Sequence, residues 1–466
     1  MISSRILRRL GQCGALTALG TLAIALPGRA GAQELTARTL DNGLEIVVIP
    51  RSKVPFSTVQ IAFRGGAFTQ TTPDMHGLPH LLEHMLFQQE ERAFSTNLSK
   101  RISDLDAAWN AVTAEETVRY YFTVPSKNTE KAIEVLGDMV QKVKFSAEAL
   151  ENEKRVVRGE LERRAAEPTM LLLTTADRQL WTDAGWERKN AGGTLPAVTG
   201  ASLQRLRTLY DTYYVPNNAI LIVTGDVNAD AAIGAATKAF GSWKRGDDPM
   251  ATVEPLVIPP LESISREFVT GDVRDVTFLI RWHGPSANTA RDATYAADIF
   301  SSIVNLPISG TQQRLVDSGL FESVSMGYTT RRFVGQVELF ARTTPEKAGA
   351  AAGALGRELR QLVADDYFTA EDVQLAQKRQ RVFRAFSTES AAAVNDFVAD
   401  FWTSVDLDYY RSYFDQLESR GPAEVRAFVN DYIKGKNFAV TVLLSRETQT
   451  ELGTRLRNSL NAWRAP

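Results

Sequence analysis

The chain has 466 residues, of which 44% are hydrophobic and 23% are charged, as in ordinary globular proteins. This length exceeds what one hydrophobic core organises, so two or more domains are expected. The 53 lysines and arginines nearly balance the 55 aspartates and glutamates. This balance, together with the lack of any zinc-finger or RNA-binding signature, argues against nucleic acid as a partner.

The first residues, 1–32, are predicted to be an export signal. Three arginines within residues 1–9 precede a mostly apolar stretch at 13–27, and Ala30-Gly31-Ala32 then supplies small residues for cleavage. Cleavage near Ala32 leaves a mature chain that begins near Gln33. Because the apolar run is short for a bilayer span, no stable membrane span is expected after cleavage. A signal anchor is the alternative.

Cysteine usage bears on the compartment. Cys13 is the one cysteine of the sequence, and it lies inside the segment that we expect to be removed. The mature protein would then have no thiolate for catalysis and no cysteine ligand for a metal. A cysteine-free chain suits an oxidising compartment, so we predict a location in the bacterial periplasm.

The first half is predicted to form strands with helices packed between them. Asn42-Gly43 is typical of a tight hairpin turn. Strand and helix patterns then follow from their periodicities of two and 3.6 residues. The predicted strands are 45–49, 57–63 and 119–124, and the predicted helices are 78–87, 129–143 and 147–166.

The predicted helix 78–87 contains the segment His80-Leu81-Leu82-Glu83-His84, an H-x-x-E-H arrangement. Positions i and i+4 share a helix face, so both imidazoles can reach one metal ion. Glu83 lies on the same face, where it can contact a water on that ion. The alternative is a pair of core histidines satisfied by hydrogen bonds. Since the rest of this helix is apolar, burial of His-Glu-His without a cation would cost several kcal/mol.

The remaining two histidines are interpreted as outside the metal site. His76 lies one turn before His80, and we expect it in a loop or at the surface. His283 precedes Gly284-Pro285 at the end of a predicted strand and has no companion ligands nearby in sequence. We interpret it as structural.

A catalytic zinc ion bound by two histidines favours a carboxylate as its third protein ligand. Glu153 and Glu160 are seven residues apart in the predicted helix 147–166, so they lie on one stripe of it. From spacing alone neither outranks Glu151, Glu162 or Glu167. A solvated charged helix is the alternative.

The second half repeats features of the first in the same order. Phe145-Ser146-Ala147-Glu148 recurs as Phe368-Thr369-Ala370-Glu371, and the strand 57–63 has a counterpart at 276–282. The strand 219–223 likewise matches 438–444. We therefore predict an α+β protein of two duplicated mixed α/β domains, each an antiparallel-rich sheet with packed helices.

The predicted domain boundaries follow from composition. Residues 246–262 lack periodicity and contain Asp247-Asp248-Pro249 and Pro259-Pro260, which is typical of a linker. An N-terminal zinc-binding catalytic domain is therefore expected at 33–245. A related domain without metal is expected at 263–466.

These residues resemble the pitrilysin and insulin-degrading enzyme (insulinase) family of inverted-motif zinc peptidases. The resemblance is greatest to the branch of mitochondrial processing peptidase and its bacterial relatives. Residues 77–87 match the signature helix of that family, whose glutamate ligand ends a Glu-x6-Glu pattern. The resemblance implies one zinc ion per chain held by His80, His84 and Glu160. It also implies Glu153 as a support for the ligands and Glu83 as the catalytic base.

The family resemblance further implies a substrate-binding strand. In the family, the segment matching Asn110-Ala111-Val112-Thr113 is an edge strand near the metal that pairs with a peptide backbone. Asn110, Ala111 and Thr113 are therefore the candidate substrate-binding residues. Main-chain pairing suits a peptidase that accepts many sequences. An ordinary turn before the strand 119–124 is the alternative.

The sequence also departs from the family pattern. Members with a complete site carry an Arg and a Tyr in the second domain, where this chain has Leu315 and Glu322. Phe383 stands where Glu160 would recur, so the second half is expected to bind no metal. We expect a dimer, and the hypothesis is that this chain is the zinc-bearing member, paired with a related subunit that carries the Arg and Tyr.

The predicted function is an exported zinc metalloendopeptidase that hydrolyses peptides or unfolded protein segments. One alternative is a non-catalytic, peptidase-like scaffold subunit, although such subunits usually lose a ligand or the base. A second alternative is a zinc-dependent amidase acting on small molecules. The predicted strand pairing at Asn110 argues against that one.

Overall fold

The structure is a computed structural model that describes residues 35–51, 54–88, 98–387 and 389–466. The predicted export signal at 1–32, its cleavage site and Cys13 lie outside the described residues. Within the described part of the chain, the helices are all too short or too polar to cross a bilayer.

The chain forms two mixed sheets, one from each half. The strands of the first sheet are β1 (Thr36–Thr39), β2 (Glu45–Pro50), β3 (Phe56–Arg64), β4 (Ala108–Thr113), β5 (Thr117–Pro125) and β6 (Ala219–Gly225). The strands of the second sheet are β7 (Ser265–Thr270), β8 (Val276–Gly284), β9 (Ser323–Thr329), β10 (Gly335–Thr343) and β11 (Ala439–Leu444).

Helices cover and connect the two sheets. In the first half they are α1 (Leu78–Phe87), α2 (Leu98–Ser103), α3 (Thr129–Gln141), α4 (Ala147–Ala166), α5 (Pro168–Gly185), α6 (Leu195–Thr199), α7 (Leu203–Tyr213) and α8 (Ala229–Phe240). In the second half they are α9 (Arg291–Val304), α10 (Pro345–Gln361), α11 (Ala370–Ser387), α12 (Ala391–Ser404), α13 (Leu407–Ser419), α14 (Pro422–Tyr432) and α15 (Arg446–Asn461).

Strand order confirms the predicted duplication. The first sheet runs β1-β2-β6-β3-β5-β4, and the second runs β7-β11-β8-β10-β9. In both, one parallel pair (β2 with β6, β7 with β11) is followed by antiparallel pairs. Apart from the added β1, the two sheets therefore have one topology, as expected of two related mixed α/β domains.

The predicted elements of the first half agree closely with the structure. Helices α1 and α4 have the predicted bounds, while α3 ends two residues earlier than predicted because Lys142 has left the helical region (φ −103°, ψ 49°). The hairpin turn has Asp41 and Asn42 at its centre, and the following Gly43 has φ 93°. A side chain there would meet Asn217 and Arg245, so the turn needs glycine for its conformation and for space.

The two halves also exchange helices, which the sequence did not predict. Helix α5 of the first half packs on β7, β8 and β11 of the second sheet, and α12 of the second half packs on β3, β5 and β6 of the first. Trp402 and Val398 of α12 are buried against Ile220 and Ile222 of β6. The described residues from Leu35 onward consequently form one compact unit.

The segment 246–262 contains a short 3-10 turn, Pro249–Ala251, and otherwise neither helix nor strand. This agrees with a connecting role, since β6 ends before it and β7 begins after it. The precise domain boundaries at 245 and 263 stay a prediction.

Candidate metal centre

Helix α1 places both histidines of the motif on one face, with His80 buried and His84 partly exposed. It begins after Gly77, whose φ of 93° lets the chain turn into the helix, and Pro79 occupies the first turn, where no backbone donor is needed. The imidazole rings of His80 and His84 have centroids 4.9 Å apart, with an interplanar angle of 87°. The two rings can thus present nitrogens to one point.

Helix α4 brings Glu160 to that point. Its Oε2 atom lies 3.7 Å from Nε2 of His80 and 3.8 Å from Nε2 of His84. Tetrahedral zinc with bonds of about 2.1 Å separates its ligand atoms by about 3.4 Å. The donor set of two imidazole nitrogens and one carboxylate oxygen therefore fits a zinc ion with a fourth position open to water.

Glu153 orients one of these imidazoles. Nδ1 of His84 donates a hydrogen bond of 3.0 Å to Oε2 of Glu153, which is buried. This contact fixes the proton on Nδ1, so the lone pair of Nε2 faces Glu160. Burial by itself would lower the pKa of His84, but this hydrogen bond and the nearby carboxylates raise it instead.

His80 is the more deeply buried imidazole. Burial, reinforced by the neighbouring His84 and by Arg164, lowers the pKa of His80 to about 3. Its Nδ1 atom is buried and has no hydrogen-bond partner within the described residues. The ring is therefore neutral at ordinary pH, which is the form that binds a metal.

Glu83 faces the same space from α1. Its Oε2 atom accepts a hydrogen bond of 2.5 Å from the hydroxyl of Thr113 at the end of β4. Burial raises the pKa of Glu83, and the Thr113 contact partly offsets this. A carboxylate with a raised pKa is suited to accept and return a proton near neutrality. No local sequence pattern predicts this contact, because it joins residues from different elements.

Strand β4 carries the other candidate substrate-binding residues. It is the last strand of the first sheet and pairs with β5 alone among the described strands. Asn110 is exposed on it and Ala111 is half-buried. Its outer edge is therefore free to add a further strand, whereas the Thr113 side chain already contacts Glu83.

The remaining histidines lie outside this group. Nδ1 of His76 is 3.4 Å from a carboxylate oxygen of Glu187. Nε2 of His283 is 2.8 Å from the carbonyl oxygen of Leu180, and its ring stacks on Trp181. Burial lowers the pKa of His283. Both contacts are those of structural side chains.

The positions expected to lack the Arg and Tyr are occupied by structural groups. Leu315 is buried in the core of the second domain. Glu322 forms an ion pair of 3.0 Å with Arg342 on β10. Neither side chain offers a cationic or phenolic group to a substrate.

Comparisons with known proteins identify the family of the chain. The family model described as insulinase (peptidase family M16) matches residues 46–189. The model described as the peptidase M16 inactive domain matches residues 200–380. Together the two matches span more than half of the chain, and the first contains the candidate metal ligands.

Individual relatives are distant in sequence. A zinc protease, PqqE of Helicobacter pylori, is 23% identical over 412 residues, which is 85% of this chain and 89% of that protein. The probable mitochondrial-processing peptidase subunit beta of Arabidopsis thaliana is 24% identical over 259 residues, 55% of this chain and 48% of that protein.

A solved structure shares the fold. The crystal structure of a protease from Helicobacter pylori superposes with a TM-score of 0.75 at 20% identity, over 89% of this chain and all of that one. This likeness extends across both sheets, as the family matches do. The chain belongs to peptidase family M16, the insulinase family.

Proposed function

We propose that this protein is an exported zinc metalloendopeptidase that hydrolyses peptides or unfolded protein segments. The observation that carries the proposal is the convergence of His80, His84 and Glu160, with Glu83 facing the same space. A catalytic zinc site needs those three ligands, an open position and a base.

The chain's own residues have separate tasks in this reaction. A bound zinc ion would supply Lewis-acid polarisation of the scissile carbonyl and would acidify a water molecule. Glu83 takes the proton from the attacking water and returns it to the leaving amine. The Thr113 hydroxyl holds one oxygen of Glu83 in place, so the other is directed toward the water.

Strand β4 is the proposed platform for the substrate. Asn110, Ala111 and Thr113 lie on this strand, and the exposed ring of Trp109 packs at a tilt against Phe87 at the end of α1, with ring centroids 4.6 Å apart. A peptide that pairs with the outer edge of β4 would pass beside Glu83. Because main-chain hydrogen bonds ignore side-chain identity, this platform favours unfolded segments of varied sequence over small amides.

Glu83→Gln tests the hydrolase directly. The variant should keep zinc and fold normally, while peptide turnover falls by about a hundredfold to ten-thousandfold, the usual range for a lost general base. Turnover is measured on a fluorogenic peptide library and zinc by elemental analysis. Glu148→Gln, on the exposed first turn of α4, is the matched control and should be fully active. Loss of zinc from Glu83→Gln would show that Glu83 has a different role.

We also propose that the active form is a dimer with a related chain. Leu315 and Glu322 stand where family members with a complete site carry an Arg and a Tyr, so a partner would have to supply those two groups. Co-expression with related chains of the same genome should yield a complex with higher turnover than this protein alone. Full turnover by the purified chain alone would contradict the pairing and leave the zinc assignment intact.

A scaffold subunit is the competing function. Against it stand the retained metal ligands and Glu83, which all face one partly buried cleft.

The periplasm is the proposed location. N-terminal sequencing of the protein from a periplasmic fraction should find a start near Gln33, whereas an uncleaved chain in the membrane fraction would indicate a signal anchor.

A further inference from the structure

The second domain contains a cleft that corresponds to the metal cleft of the first. It is a cavity of about 530 Å³ bordered by α9, α11 and β9. Helix α9 follows β8, packs beside the edge strand β9 and contacts α11. In the same way α1 follows β3, packs beside the edge strand β4 and contacts α4. Duplication has therefore produced two clefts of one architecture.

Individual positions correspond as well. Asp298, Ser301 and Ser302 line the cavity from α9 with the i, i+3, i+4 spacing of the H-x-x-E-H motif in α1. Asp298 thus lies on the cleft face of α9, as His80 lies on the cleft face of α1. The hydroxyl of Ser302 lies 3.5 Å from the carbonyl oxygen of Ala376 on α11.

The opposite wall of this second cleft is helix α11. The recurrence of Phe145-Ser146-Ala147-Glu148 at residues 368–371 aligns α4 with α11 and places Phe383 at the position of Glu160. Phe383 lines the cavity and its side chain is 55% exposed. The first cleft therefore presents two imidazoles and two carboxylates, whereas the second presents one carboxylate, two hydroxyls and an aromatic ring.

Asp298 has little compensation within the protein. Its carboxylate accepts a hydrogen bond of 2.8 Å from the hydroxyl of Tyr413. Among the described residues, no basic side chain forms an ion pair with it, and burial raises its pKa to about 7. The buried hydroxyl of the adjacent Ser301 likewise has no hydrogen-bond partner in the described chain. An unpartnered buried polar group is costly, so the Ser301 hydroxyl indicates a missing ligand in this part of the cavity, beside Asp298.

The other charged groups around the cavity already have partners. Arg331 forms an ion pair of 2.9 Å with Glu115, and Asp400 one of 2.6 Å with Arg119. The guanidinium of Arg379, at the rim, donates to the carbonyl oxygen of Asn305. Asp298 is therefore the carboxylate available to a ligand.

Aromatic rings complete the walls. Phe383 stands at the mouth, and Phe397, Phe401, Tyr413 and Tyr328 line the cavity further in. Aromatic faces attract cations through their quadrupole, most strongly where water is excluded. One carboxylate is too few ligands for a calcium or magnesium ion. It does suit an organic cation whose apolar stem lies along the rings.

We propose that this second cleft binds an organic cation, a primary ammonium or guanidinium group, with Asp298 as its counter-ion and Phe383 as its aromatic wall. The cation has two chemical sources, a free amine or the basic side chain of a polypeptide. The site does not depend on the zinc chemistry of the first cleft.

Calorimetric titration of the full-length protein tests the proposal, at about pH 8 so that Asp298 is charged. The probes are n-butylammonium, Nα-acetyl-lysine amide and the neutral Nα-acetyl-norleucine amide. Saturable binding of the cations but not of the neutral amide is expected. Tighter binding of the lysine amide identifies a polypeptide side chain as the source, and equal or tighter binding of n-butylammonium identifies a free amine. Absence of binding at millimolar concentrations overturns the proposal.

Variants localise the site. Asp298→Asn should weaken cation binding about tenfold or more, because it removes the counter-ion. Phe383→Ala, at an exposed position that folding does not need, should weaken it about threefold. The exposed Asp317→Asn is the matched control and should bind as the wild type does. Unchanged affinity in Asp298→Asn overturns the assignment.

A further experiment distinguishes this site from the proposed peptidase site. The Glu83→Gln protein, which is expected to be inactive, should bind the cations with wild-type affinity. Cation binding that disappears in Glu83→Gln but persists in Asp298→Asn would place the ligand in the first cleft and contradict the proposal.

Discussion

The two clefts of this molecule share a framework and differ in a few side chains. In the first half, α1 lies beside the edge strand β4 and the long helix α4. In the second half, α9 lies beside the edge strand β9 and the long helix α11. The first cleft presents His80, His84 and Glu160 to a common point. The second presents Asp298 and Phe383. The fold positions the groups, and the chemistry is decided by which groups stand at those positions.

The comparison also explains how the side chains of the second cleft can differ from those of the first while the fold of the domain stays the same. The core residues of the second domain, such as Trp282 on β8 and Phe300 on α9, are fully buried and do not line the cleft. Substitution on the cleft face of α9 alters ligand chemistry with little effect on packing. A family description of the second domain as inactive is consistent with loss of the metal ligands and with survival of the cleft.

The largest expected effect is the loss of a metal ligand. Glu160→Gln should release zinc and reduce peptide hydrolysis to background, because two histidines alone hold zinc weakly. Glu162→Gln, which lies on the same helix but points away from the group, is the control. Elemental analysis after dialysis and peptide turnover measure the outcome. Zinc retained in Glu160→Gln and lost in Glu162→Gln would reverse the ligand assignment.

The second cleft should show its chemistry in the pH dependence of stability. Burial raises the pKa of Asp298 to about 7, whereas an unfolded Asp has a pKa of about 3.9. The folded state therefore holds this proton more tightly, and stability falls as the pH rises from about 4 through 7. Asp298→Asn does not titrate, so relative to wild type it should gain up to about 4 kcal/mol between these limits.

Urea unfolding of both proteins across this pH range measures the difference. The zinc-site groups titrate equally in the two proteins, so their contribution cancels. A constant difference between the variant and the wild type from pH 4 to pH 8 would show that Asp298 has an ordinary pKa. A carboxylate whose pKa is raised by its surroundings would then be ruled out at Asp298.

The next largest effect is expected from the ion pair that connects the two halves next to the clefts. Arg331 of the second half binds Glu115, in the turn that joins β4 to β5, and Glu115 also pairs with Lys189. Arg331→Met removes one of the two cationic partners of Glu115, so the unfolding free energy should drop by about 2 kcal/mol, as for the loss of a hydrogen bond to a charged group. Denaturant unfolding measures it, and Arg342→Met at an exposed pair should change it far less.

The smallest effect is expected from the support of a ligand. Glu153→Gln keeps a hydrogen-bond acceptor for Nδ1 of His84 but removes its charge. Zinc affinity should fall about tenfold to a hundredfold, the usual range when a residue that hydrogen-bonds a metal ligand is changed. Competition with a chromogenic chelator measures the affinity. A fall as large as that of Glu160→Gln would mean that Glu153 itself binds the metal.

Local sequence patterns predict much of the fold and part of the candidate metal site. The bounds of α1 and α4 follow from apolar periodicity, capping and glycine or proline positions, which act within a few residues. The spacing of His80 and His84 defined a shared face. Spacing could not choose Glu160 among the glutamates of α4, and the family resemblance was needed for that choice.

Long-range contacts account for what was missed. The hydrogen bond from Thr113 to Glu83 and the exchange of α5 and α12 between the sheets join residues far apart in sequence. No local periodicity encodes such pairs. The same holds for Asp298, because the elements α9, α11 and β9 that surround it are distant from one another along the chain.

Anomalous X-ray diffraction at the zinc edge tests the central claim most directly. Crystals of the mature protein supplied with zinc should show one anomalous peak per chain, about 2.1 Å from Nε2 of His80, Nε2 of His84 and a carboxylate oxygen of Glu160. The second cleft should show none. A peak that Glu160 does not touch, or one beside Asp298, would contradict the account.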